Sequence, residues 1–108
     1  MNAGQISEIL KQYAKHGWLL RRVLLSARTR ETLAGALEAL FGETPVENSF
    51  DIDAAWFSRA AANGSEAWEL RRLSQTPFAL VEIFDDDDDE ETREEARLEM
   101  EKTVGSKV

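Results

Sequence analysis

The sequence predicts an α+β domain in the order α-β-α-β-β-β-α, a four-stranded mixed or antiparallel sheet with helices packed mainly on one face, a two-layer sandwich. Three observations carry this prediction. Apolar side chains near the N-terminus recur at helical spacing, residues 50–85 form short strand-like runs broken by turn residues, and the last quarter is built of helix formers behind an acidic run. At 108 residues the chain has the size of one domain and is too short for two independent cores.

The first helix is read from Ile6, Ile9, Leu10, Tyr13 and Ala14, which form one stripe over residues 4–16. Asn2 and Gln5 have the spacing of a capping box, and Gly17 suits the left-handed residue just beyond the last turn. Residues 18–25 follow directly and carry Trp18, Val23 and several leucines. Both of their alternating faces are mostly apolar, so they predict an interior strand covered at least partly on both sides. Leu33, Ala36, Leu37, Leu40 and Phe41 mark a second helix over 29–41, with Thr29 as its cap and Gly42 as its stop.

Residues 43–49 read as turn chemistry. Strands are expected over 50–59, 67–74 and 78–85, joined by short connections that contain Asn63-Gly64 and Thr76-Pro77. Connections so short make antiparallel neighbours, hence a meander. A last helix is expected over 88–103, with Ala96, Met100 and Val104 along one side and Arg97 and Lys102 one turn from glutamates.

Charge divides the chain. The net formal charge is −8, yet residues 1–84 carry only −1 of it and residues 85–108 carry −7. Residues 1–84 are therefore read as the α+β domain body, and 85–108 as an acidic linker and charged helix docked on the same domain.

Several functions are disfavoured by composition. The chain has no cysteine, which removes disulfides, thiolate metal sites and cysteine nucleophiles. Its single histidine, His16, falls in the last turn of the first helix, where a cation complements the helix dipole. No Gly-rich phosphate loop, nucleophile elbow or zinc-protease motif occurs. No apolar run approaches the roughly 18–20 residues of a membrane span, and no leader pattern opens the chain, so a cytoplasmic protein is expected.

Three motifs invite a chemical reading. The Asp85–Asp89 run offers oxygen ligands, but it has no glycine turn to make carboxylates converge on Ca²⁺, so no specific metal is expected. Arg21-Arg22 and Arg71-Arg72 are adjacent on strands and so point to opposite faces, and the body carries no net positive charge. Nucleic-acid binding is not expected on these grounds. Asp51 and Asp53 share a strand face, the placement of a carboxylate dyad, but no second catalytic group accompanies them.

Alternation assigns the sheet faces if the connection around Thr76-Pro77 has two or four residues. Trp56 and Trp68 then face the helices. The opposite face combines apolar and charged side chains, with Phe57, Leu80 and Phe84 beside Arg59, Glu69, Arg71 and Glu82. Such a face is expected to be an association surface unless the last helix covers it. The expected function is therefore protein–protein contact without catalysis or a cofactor. The partner is a second copy, giving a homodimer through the exposed sheet face, or an unidentified protein. The alternative is a ligand-binding or catalytic pocket between sheet and helices near Trp18, Trp56 and Trp68.

Overall fold

In the computed structural model, residues 1–106 are described. The last two residues of the 85–108 segment lie outside them.

Helix α1 spans Ala3–Lys15. The Asn2 side chain accepts the Gln5 N–H and the Gln5 side chain accepts the Asn2 N–H, both at 2.9 Å, which satisfies two donors that a helix start leaves free. Gly17, at φ +84°, then turns the chain into strand β1, Leu19–Leu25. A side chain at this φ would be strained, which is why a glycine stands at the turn that ends the helix.

The second predicted helix is two short ones, α2 (Ala27–Thr32) and α3 (Leu37–Phe41). Gly35 at φ +87° lies between them and breaks the helical path. The cap of α2 is Ser26 rather than Thr29; its hydroxyl accepts the Thr29 N–H at 3.3 Å.

Residues read as a turn contain a short strand, β2 (Val46–Asn48), which pairs parallel with β1 in the register Val23↔Val46. Three residues are too few to reveal an alternating pattern. Strands β3 (Ala54–Ala60), β4 (Glu66–Arg72) and β5 (Ala79–Phe84) complete a mixed sheet in the order β2-β1-β3-β4-β5. The sheet thus has five strands rather than four. Helix α4 follows at Glu90–Gly105, capped by the Asp89 side chain.

Helices cover both faces, which corrects the two-layer expectation. On the first face, Ile6 of α1, Leu33 and Phe41 pack with Val23, Leu25, Ala55, Phe57 and Leu73. On the second, Val104 of α4, assisted by Ala96 and Met100, packs with Leu24, Ile52, Ala54, Trp56, Trp68, Leu70 and Phe84. Trp56 and Trp68 therefore face α4 and not the N-terminal helices. Helix α4 docks as the charged helix expected there, although few of its residues are apolar. Part of its buried surface is Arg97, which is 2% exposed and lies over the Trp68 ring at 4.4 Å. A guanidinium on an aromatic face is a packing group as well as a charge.

Two backbone details set which side chains share a face. The Arg72 N–H donates to the Phe78 carbonyl at 2.8 Å, so residues 73–77 form a five-residue connection. Leu70 consequently pairs with Leu80, and Trp68 with Glu82. An odd connection in place of an even one moves every β5 side chain to the other face. The second detail is an irregularity in β1: Leu20 pairs with Phe57 and Arg22 with Trp56, leaving Arg21 as an extra residue.

Candidate association surface

The seven residues expected on one face are divided between two. Phe57, Arg59, Glu69 and Arg71 occupy the first face, and Leu80, Glu82 and Phe84 the second. Phe57, 1% exposed, is buried in the first core, and Phe84, 3% exposed, in the second. Leu80 packs against the second core, and Glu82 is exposed.

The first-face group borders the C-terminal end of α1. The Tyr13 ring is stacked on Phe57 at 3.9 Å between centroids and 12° between planes. Its hydroxyl donates to Glu69. Burial and the neighbouring Glu69 carboxylate hold the Tyr13 proton well above the ordinary phenol range, with Arg71 opposing them. Arg59 lies over the Trp18 ring at 4.5 Å and donates to the His16 carbonyl at 3.0 Å. An open cleft of about 540 Å³ is lined by Gln12, Tyr13, His16, Trp18, Arg59 and Glu69. Two of its charged groups already have partners: Arg59 engages a carbonyl and a ring, and Glu69 engages a phenol. The group reads as a structural clasp between α1 and the sheet. His16 serves the clasp through its backbone.

Beyond this clasp the first face is bare. Ala79, Val81 and Ile83 of β5 point to the side that α1 covers farther along the sheet. Val81 is 51% exposed and Ile83 53%. Val81 sits opposite Glu69 in the β4–β5 ladder, and Ala79 opposite Arg71, so the apolar strip runs directly beside a charged row. Strand β5 is also a sheet edge. Other large exposed apolar side chains are Leu19 of β1, Phe50 in the connection between β2 and β3, and Leu98 of α4. With the even connection that the alternation assumes, Val81 and Ile83 would instead share the face of Trp56 and Trp68. The parity of that connection is the signal that would have found them.

The other motifs are absorbed by the architecture. Asp53 accepts from the Ser26 N–H and the Thr29 hydroxyl, each at 2.7 Å, and so fastens the start of α2 to β3. Asp51 lies against Gly105 at the end of α4. Both line a cleft of about 350 Å³ together with Arg72 and Gln75. Asp85, Asp87 and Asp88 bring ligand atoms within 4.8 Å of one another at the surface. Asp88 accepts the Asp85 N–H there at 2.9 Å and shapes the turn into α4.

The arginine pairs behave differently from each other. Arg71 and Arg72 point to opposite faces, as alternation requires. The irregularity at Arg21 puts Arg21 and Arg22 on the same face. Arg21 lies 5.4 Å from the Trp68 ring, and Arg22 pairs with Glu47 at 3.1 Å and Glu94 at 3.3 Å. The acidic helix α4 thus meets the basic part of the sheet. The Trp56 indole N–H donates to Glu101 of the same helix at 2.9 Å.

Neither the sequence nor the fold matches a protein-family model, a curated protein or a solved structure. Among the described residues, no helix is long and apolar enough to cross a membrane.

Proposed function

We propose that this domain acts through protein–protein contact, associating with a second copy through the uncovered margin of its first sheet face. The observation that carries this reading is the apolar strip of Ala79, Val81 and Ile83, with its two large members about half exposed on a sheet edge. A strip of that kind bordered by the Arg71–Glu69 row has the composition of an interface with an apolar centre and a polar rim. The clefts support a catalytic reading less well, because Asp53 and Glu69 are each engaged in holding a helix to the sheet.

Light scattering coupled to size-exclusion chromatography tests the proposal. The parent should gain mass with concentration, while the double variant Val81→Lys with Ile83→Lys should stay at the monomer mass with an unchanged circular-dichroism spectrum. A parent that remains a monomer up to about 1 mM, a concentration that would populate even a millimolar complex, overturns it.

A further inference from the structure

We infer that two copies join edge to edge through β5, antiparallel about a twofold axis at Val81, to make one continuous sheet. The inference rests on the self-association proposed above and specifies its geometry.

Backbone direction comes first. The Arg72 N–H bonds to the Phe78 carbonyl. In an antiparallel ladder, hydrogen-bonded and non-hydrogen-bonded pairs alternate. Phe78, Leu80, Glu82 and Phe84 therefore turn their peptide groups toward β4. Ala79, Val81 and Ile83 turn theirs outward, to the free edge of the sheet. The residues with open backbone groups are the same ones whose side chains form the bare apolar strip.

Self-complementarity then selects a register. With Val81 opposite Val81 of the second copy, Ala79 falls opposite Ile83 and Ile83 opposite Ala79. Every outward N–H and C=O of the strand finds a partner. Each of these pairs is apolar and lies on the first face. On the second face the same register sets Glu82 opposite Leu80 of the second copy. Sliding by two residues toward the C-terminus would put Glu82 against Glu82, and like charges directly opposite are destabilising. Sliding by two the other way leaves one outward residue of each strand unpaired.

The acidic run argues for the same orientation. Asp85–Asp89 begins where β5 ends. Antiparallel pairing sends the two runs to opposite ends of the junction, whereas parallel pairing would bring ten aspartates together. Natural edge strands usually carry a lysine, a proline or an inward charge to prevent such pairing. The outward positions of β5 have none of these.

Cysteine cross-linking reads the register directly, because the chain has no cysteine of its own. Hydrogen-bonded antiparallel partners have Cα atoms about 5.5 Å apart, within the range a disulfide spans. On mild oxidation Val81→Cys should form a covalent dimer, and Ala79→Cys alone should not. A mixture of Ala79→Cys with Ile83→Cys should give the heterodimer. Val81→Pro removes an outward N–H without touching the β4 ladder, and should abolish association while leaving the unfolding midpoint, measured at a dilution where the parent is monomeric, close to the parent's.

Equal cross-linking of Val81→Cys and Ala79→Cys overturns the register. A parent that associates, is broken by Val81→Lys with Ile83→Lys, and yet still associates with Val81→Pro overturns edge pairing but leaves the face contact standing. A parent monomeric up to about 1 mM overturns both.

Discussion

The guanidinium of Arg97 lies 4.4 Å from the ring centre of Trp68, beneath a helix whose first turn is acidic. Arg97 also pairs with Glu90 and, at 3.4 Å, with Glu94, while its side chain is nearly inaccessible. One residue thus joins the charged surface of α4 to the aromatic floor of the second core. Arg97→Ala should lower stability by about 2–4 kcal/mol, since it removes packing, a cation–π contact and a buried charge partner together. Urea unfolding followed by tryptophan fluorescence measures this. A loss within about 0.5 kcal/mol, typical of an exposed substitution, would mean that α4 does not depend on it.

Phe84 and Val81 lie three residues apart on the same strand and should respond oppositely to a charge. Phe84→Glu places a carboxylate in the second core and should cost more than about 4 kcal/mol, enough to unfold a marginal domain. Val81→Lys replaces a half-exposed side chain and should leave the fold intact. Circular dichroism and thermal melting of the two variants separate these outcomes.

Asp53 connects two elements through side-chain hydrogen bonds. Asp53→Ala should cost about 1–3 kcal/mol, the usual loss for depriving donors of a charged acceptor, and should loosen the start of α2 specifically. Hydrogen exchange should show faster exchange at Thr29 and Arg30, with β4 and β5 unchanged. Uniform acceleration through the sheet would contradict this local role.

Glu101 provides a pH dependence of known sign. Burial pushes its carboxyl above the ordinary glutamate range, and the Trp56 N–H and Arg22 only partly offset this. The native state therefore holds this proton more tightly than the unfolded chain does. The resulting stability is present below the unfolded pKa and is lost as pH rises through the folded value. Glu101→Gln keeps an oxygen for the indole N–H and removes the titration. It should gain on the parent as pH is raised from about 4 to about 7. A stability difference that stays flat across that range would contradict the assignment.

Removing residues 86–108 tests the covering role of α4. The truncated chain loses Ala96, Met100 and Val104 and leaves Trp56 and Trp68 facing water. Tryptophan emission should shift to the red and the protein should aggregate. Parent-like emission and solubility would show that the second face does not need its helix.

Much of the architecture was legible in local chemistry. The Asn2–Gln5 capping box, the turn at Gly17, the strand-rich middle and the terminal helix follow from side-chain spacing and backbone preference, which act within a few residues. So does the concentration of acidity behind residue 84. The short strand β2 was not legible, because its pairing with β1 is parallel and remote in sequence. Nor was the break at Gly35, which the apolar stripe on either side of it conceals.

The sequence by itself determined that this is an α+β chain without cysteine chemistry, with a near-neutral body and an acidic end. Only the tertiary structure decided which face each strand residue occupies. One residue in the connection between β4 and β5 decides whether Phe84 or Val81 meets water. One extra residue at Arg21 decides whether two neighbouring arginines share a face. Side chains in a strand alternate with period two, so a parity difference reverses a whole strand while leaving its composition and its hydrophobic pattern unchanged.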